Sequence, residues 1–266
     1  MQLQGKRVLL TGANGGIGSV LSKRLAAEGA SLILCSYRKE GLEKLAVELA
    51  ASGYANSYQV LAANISNTED RQRLVSECGV LGGIDVLINL AGVLDFHLYE
   101  DQSAEIIEDT IGINMLAPML LCHELLPQLM LKPEAMILNV GSIFGSIGHP
   151  GFVAYCASKA GVKTFTEALS RELDDTGITV SYIAPRATST ALNTDRVNAM
   201  NKELGNKMDT PDYVASQIIK QLISGKSISY LGWPEKLFVR VNALLPSVVH
   251  KALVKNLGLI KKYARS

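Results

Sequence analysis

Tyr155 and Lys159 stand four residues apart in the run Tyr155-Cys156-Ala157-Ser158-Lys159, and Ser142 lies thirteen residues upstream. On a helix this spacing puts a phenol and an ammonium on one face, over the same small volume. A free phenol has a pKa of about 10, and a fixed positive charge beside it favours the phenolate and draws that value toward neutrality. A tyrosine tuned in this way can give a proton to a carbonyl oxygen or take one from an alcohol. Tyr-x-x-x-Lys also arises by chance on many helices, so its meaning depends on the elements that would position it.

Those elements alternate. The run 6–10 is short and increasingly apolar, as a buried strand is, and leads into Thr11-Gly12-Ala13-Asn14-Gly15-Gly16-Ile17-Gly18 and then a helical pattern over 19–28. Strand, glycine turn and helix form the βα unit that sets a pyrophosphate on a helix N-terminus. A second strand, 31–35, ends in Cys35-Ser36-Tyr37-Arg38-Lys39, with no carboxylate before Glu40. An acidic residue at this point would hold a ribose 2′-hydroxyl, whereas Arg38 suits a 2′-phosphate and can grip it bidentately. NADP(H) is therefore the favoured cofactor, with NAD(H) as the alternative.

Further strands are expected at 58–62, 84–90, 135–140, 179–184 and 227–231, with helices over 41–51, 69–78, 103–131 and 211–224. Such βαβ repetition predicts an α/β fold: a Rossmann-like, doubly wound parallel sheet of about seven strands with helices on both faces. Neither a composition break nor an internal repeat marks a second domain. Residues 1–232 are expected to form the dinucleotide-binding and catalytic domain. Within it, the polar, weakly periodic stretch 186–210 reads as a substrate lid.

With 266 residues, 48% of them hydrophobic, the chain can bury a large core. A formal net charge of +1 gives no reason to expect nucleic acid. Cys35, Cys78, Cys122 and Cys156 have no C-x-x-C spacing and no neighbouring His cluster, so a metal site is not expected and reduced thiols in the cytoplasm are. The N-terminus runs straight into a strand without an apolar address segment. The apolar stretch 115–131 is interrupted by Pro118, His123, Glu124, Pro127 and Gln128, and reads as a buried or interface helix.

Taken together, these motifs resemble the short-chain dehydrogenase/reductase family in its compact single-domain branch, over nearly all of 6–232. Thr11-Gly12-x-x-x-Gly16-x-Gly18 is similar to its phosphate loop, Asn89-Leu90-Ala91-Gly92 to its Asn-Asn-Ala-Gly element, and Asn139-Val140-Gly141-Ser142 to the strand that presents its serine. The resemblance implies a catalytic four of Asn114, Ser142, Tyr155 and Lys159. Tyr155 would exchange a proton with the substrate oxygen, Ser142 would hold that oxygen, Lys159 would lower the tyrosine's pKa, and Asn114 would hold a water for the relay. It also implies cofactor contacts from Gly12, Asn14, Gly15, Gly16, Ile17, Gly18, Ser36, Arg38, Asn64, Ile65, Asn89, Ala91, Gly92, Tyr155, Lys159, Pro185 and Thr188. Leu90, Asn64 and Arg186 depart from the residues usual at their places, and Gly15 replaces a basic residue common in NADP-preferring members. The expected activity is NAD(P)(H)-dependent carbonyl reduction or its reverse on an apolar, lipid-like substrate, in a homodimer or homotetramer. An epimerase or dehydratase using the same Tyr and Lys is the alternative, as is a non-catalytic cofactor sensor.

The tail, 233–266, carries a charge asymmetry that the near-neutral total conceals. After Glu235 come seven basic residues and no acidic one, while the rest of the chain has 25 acidic residues against 19 basic. Apolar residues interleave with the charges as in two amphipathic helices broken at Pro246. Such helices either dock on the body or a neighbouring subunit, or touch an anionic membrane surface or roof the pocket for a lipophilic substrate.

Overall fold

Val8, Leu9 and Leu10 are completely buried, because the strand they form has helices on both of its faces. The computed structural model describes residues 1–54 and 56–265. This first strand, β1 (Arg7–Thr11), is followed by α1 (Gly16–Ala27), β2 (Ser31–Ser36), α2 (Lys39–Ala51), β3 (Tyr58–Ala62) and α3 (Thr68–Val80). β4 (Val86–Asn89) leads through a loop into α4 (Ala104–Ile111), a π-helical turn at Gly112–Leu116, and α5 (Ala117–Met130). Next come β5 (Ala135–Val140), α6 (Val153–Glu172), β6 (Ile178–Ala184), α7 (Asp195–Glu203), α8 (Pro211–Ser224) and β7 (Ile228–Tyr230). Three helices end the chain: α9 (Glu235–Leu244), α10 (Pro246–Lys255) and α11 (Leu257–Ala264).

The seven strands form one sheet in the order β3-β2-β1-β4-β5-β6-β7, and every pairing is parallel. The strand order reverses between β1 and β4, which opens a crevice at their carboxyl ends. Alternation along β1 divides the core. Val8 and Leu10 pack with Leu21, Leu25 and Ile218 on the α1–α8 side, whereas Leu9 joins Leu74, Leu121 and Leu125 on the α3–α5 side. Each such leucine contributes about 1.5–3 kcal/mol by leaving water.

The continuous helix Ala104–Met130 is long and apolar enough to cross a membrane by length and composition. Here it serves as a core helix. Leu121, Leu125 and Leu129 are completely buried, and Glu124 is ion-paired at 2.7 Å with the buried Arg71 of α3.

One expected segment gains a helix, and one expectation is corrected. The stretch 186–210 contains α7, whose Thr194 cap accepts a hydrogen bond from the Val197 amide and whose Val197 and Met200 are buried. Only these few apolar positions mark the helix, so its polar composition hides it. The tail forms three helices instead of two. Pro246 opens α10, as expected of a residue without an amide hydrogen, but the chain breaks again at Asn256. Ile260 and Ala264 of α11 then bury against Phe96, Phe152, Val197 and Met200.

Candidate active site

The crevice is built first from main chain. Gly12 has φ +69°, and a Cβ there would lie 2.9 Å from the Ala91 Cα, so the glycine turn and the end of β4 meet backbone to backbone. Thr11 ties them together, its Oγ accepting from the amides of Leu90 and Ala91 at 3.1 and 3.2 Å. α1 starts with Gly15 at its cap, without a side-chain cap bond and without an acidic residue in its first turn. Its first amides are therefore open to an anion.

A cleft of about 550 Å³ lies over this turn. Gly12, Asn14, Gly15, Gly16, Ile17 and Gly18 line it, together with Ser36, Asn64, Ile65, Ala91 and Gly92. Two expected members, Arg38 and Asn89, line neither this cleft nor the cavity beside it. Arg38 is exposed and occupies the cap position of α2, leaving Tyr37 as the residue beside the cleft. Asn89 is buried, and its Nδ2 donates to Asn139 Oδ1 at 2.8 Å. Asn139 in turn donates to Thr166 Oγ at 2.9 Å. Asn89 thus braces β4 against β5 and, through Asn139, against α6.

A second cavity of about 510 Å³ adjoins the first, with Ile17, Leu90, Gly92, Thr190 and Leu192 lining both. Ser142, Tyr155, Lys159, Pro185 and Thr188 stand in its wall. Ser142 ends the β5 connection, where its Oγ accepts from the Phe144 amide at 3.1 Å and keeps its hydroxyl hydrogen to donate. Tyr182 holds the Ser142 backbone, donating to its carbonyl at 3.2 Å and accepting from its amide at 3.3 Å.

Asn114 lies beneath the cavity. The π-helical turn aims its side chain back at Val93, accepting from that amide at 2.8 Å and donating to that carbonyl at 2.9 Å. It also donates to Ser158 Oγ at 3.2 Å. Gly92 sits against this group. A Cβ there would lie 3.0 Å from Asn114 Oδ1 and 3.5 Å from Lys159 Nζ.

Burial dominates the electrostatics. It pushes the Tyr155 phenol up to about 12, against a hydrogen bond with the Ser142 hydroxyl that lowers it. It pulls the Lys159 ammonium down to about 8. The Lys159 Nζ donates to the Val140 carbonyl at 3.2 Å and lies 5.8 Å from the centre of the Tyr155 ring. Desolvation of both groups thus outweighs the attraction expected to lower the tyrosine's pKa. His149, stacked on Phe144 at 4.9 Å, is held below the ordinary imidazole range by burial.

The sequence marks the rest of the cavity wall only by region, as the 186–210 stretch and the tail, and not by residue. Leu94, Phe144, Phe152 and Met200 come from the body and the stretch 186–210, and Phe238, Val249 and Leu253 from α9 and α10. Single apolar residues at ordinary helical spacing carry no signal of this role. In the sequence Arg186 stands out only as a departure from the usual residue. It pairs with Asp209 at 2.7 Å and Glu235 at 3.1 Å, and donates to the Trp233 carbonyl, so it pins the ends of the 186–210 stretch and the start of α9 together.

The profile of the short chain dehydrogenase family matches residues 6–201. Nodulation protein G of Rhizobium sp. (strain N33) is 35% identical over 203 residues, which make up 76% of this chain and 80% of that protein. The 3-oxoacyl-acyl-carrier-protein reductase of Rickettsia bellii is 32% identical over 203 residues, with the same coverage. A short-chain dehydrogenase from Sphingobium yanoikuyae, solved in complex with NADPH, superposes with a TM-score of 0.78 at 25% identity, covering 94% of this chain and 96% of that one. With the sheet order, the glycine turn and the match over residues 6–201, this chain belongs to the short-chain dehydrogenase family of oxidoreductases.

Proposed function

We propose that the protein is an NADPH-dependent reductase that converts an apolar ketone or aldehyde to its alcohol, with Tyr155 as the general acid. The observation that carries this reading is the convergence of Ser142, Tyr155 and Lys159 on one wall of an apolar cavity that joins the glycine-lined cleft. The uncapped first turn of α1 and the close approach of Gly12 to Ala91 fit a dinucleotide pyrophosphate. Ser36, Tyr37 and the nearby Arg38 leave the ribose end without a carboxylate, which supports NADP(H) over NAD(H).

When bound, the nicotinamide supplies the hydride to the substrate carbon or accepts it in reverse. The chain's own residues manage the oxygen. Ser142 donates a hydrogen bond to the carbonyl oxygen, where negative charge develops. Tyr155, protonated at neutral pH because burial lifts its pKa to about 12, gives that oxygen its proton. Lys159 steadies the phenolate left behind, and Asn114, anchored to Val93, holds the loop that carries Gly92. The protonated phenol is the form that can give a proton to a carbonyl oxygen.

The apolar wall of Leu94, Phe144, Phe238 and Leu253 fits an aliphatic chain, and the resemblance to a 3-oxoacyl-acyl-carrier-protein reductase supports a 3-ketoacyl-like substrate. In this reading residues 186–210 act as the substrate lid within the domain of residues 1–232, and the tail makes peripheral membrane contact through α9 and α10. Exposed Leu116 and Met130 on the helix 104–130, with Leu131 just after it, support a homodimer or homotetramer. Four free, buried thiols fit a cytoplasmic location. Net consumption of NADPH with a panel of apolar ketones tests the proposal. Turnover without net consumption would replace it with an epimerase or dehydratase.

A further inference from the structure

The three C-terminal helices use their charges differently. On α11, Lys262 pairs with Glu203 and Arg265 with Glu100, and Ile260 and Ala264 are buried, so this helix is docked on the body. On α9 and α10, Arg240, Lys251 and Lys255 are exposed and have no ion-pair partner among the described residues. These two helices form a hairpin whose inner face buries Val239 and Val249. Its corner, Leu244-Leu245-Pro246-Ser247-Val248, is exposed throughout. Leu244 is 81% exposed, Leu245 58% and Val248 52%.

A soluble surface rarely leaves consecutive large aliphatic residues in water. Here they sit at a corner with Arg240 one turn before it and Lys251 one turn after it. No acidic residue follows Glu235, although the rest of the chain is acidic on balance. An apolar tip inside a basic collar matches the two layers of an anionic bilayer surface: acyl chains for the leucines, and phosphate headgroups for the cations. The same hairpin walls the active-site cavity. Val248 and the half-exposed Phe238 both line it, so its rim reaches the exposed corner.

We propose that the α9–α10 corner inserts into an anionic lipid surface and that the cavity receives its lipophilic carbonyl substrate from that surface. The substrate half rests on the reductase reading given above, whereas the insertion half does not. The full chain is tested by flotation with vesicles of phosphatidylglycerol and phosphatidylcholine in equal parts, and with phosphatidylcholine alone. The expected result is binding to the anionic vesicles that weakens with salt, falls at least about tenfold in Arg240→Glu/Lys251→Glu, and is lost in Leu244→Glu/Leu245→Glu. Leu244 and Leu245 do not line the cavity, so the leucine variant should reduce a water-soluble short ketone at the parent rate. It should lose the rate gain that vesicles give with a long-chain ketone.

Indifference of the full chain to anionic vesicles overturns the proposal. So does binding that survives in the leucine variant. Loss of a concentration-dependent oligomer in that variant, with no vesicle binding by the parent, would instead make the corner a subunit contact and also overturn it. Vesicle binding without NADPH consumption on any ketone would leave the insertion standing and remove the reductase reading.

Discussion

The two cavities share five residues yet are built from different material. The cleft over the glycine turn is mainly backbone: Gly12 against Ala91, the open amides of α1, and loop ends held by Thr11. The adjoining cavity is mainly side chain, and its wall draws on Leu94, Tyr155, Met200 and Leu253, which are far apart in sequence. A backbone surface has no rotamers with which to absorb an added atom, whereas a side-chain wall can be reshaped one residue at a time. The first should fail abruptly under substitution and the second by degrees.

The largest expected effect separates the two regions outright. Tyr155→Phe removes the proton donor and should lower kcat by about 10²–10⁴-fold. NADPH affinity should stay nearly unchanged, as read by quenching of the cofactor's fluorescence. An equal loss of affinity would mean that the two regions are not functionally distinct. In the cleft, a single methyl should suffice. The Cβ of Gly18→Ala would lie 2.1 Å from the Gly12 carbonyl oxygen, so the turn must shift, at a cost of about 1–3 kcal/mol in urea melts together with loss of NADPH binding. A folded variant that binds NADPH normally would show that the backbone is more yielding than this.

Lys159 lies where the two regions meet, and its pKa gives a pH-dependent test. Its folded-state value of about 8 lies below its ordinary 10.5, so the unfolded chain binds the extra proton between them. The cost is therefore greatest below pH 8 and is relieved as pH rises through that window. Lys159→Met should be inactive, yet more stable at pH 7 by about 1–3 kcal/mol, with the gain shrinking below about 1 kcal/mol by pH 10. A gain that is the same at both pH values would refer the effect to packing.

Smaller effects probe the side-chain wall. Leu253→Ala should raise KM for a long-chain ketone by roughly 10–200-fold while sparing a short one. An equal effect on both would place the residue outside the chain-binding wall. Smallest is Arg38→Ala. An exposed cation at the ribose end should shift the NADPH over NADH preference by no more than about fivefold, as surface ion pairs do. No shift at all would leave cofactor choice to Ser36 and Tyr37.

Much of the fold was legible in the order of the residues. Apolar runs of strand length followed by helical periods predicted a seven-stranded parallel sheet, and the glycine turn marked its crevice. These features depend on local stereochemistry, which a short stretch carries within itself. Ser142, Tyr155 and Lys159 were legible for the same reason, since the end of one strand and one face of one helix place all three. Arg38 and Asn89 do not line the cleft, because sequence order gives a residue's position along a strand end but not where its side chain turns.

Only the tertiary structure decided what covers the phenol. Ile260 packs with Phe96 more than a hundred positions away, and Arg186 joins Asp209 to Glu235 across the stretch that contains α7. Hydrophobic burial has no direction and can be satisfied by any apolar partner within reach. The sequence therefore determined that the tail has apolar faces and an excess of positive charge. The fold decided that α11 docks, that α9 and α10 wall the cavity beside Tyr155, and that the corner between them stays exposed.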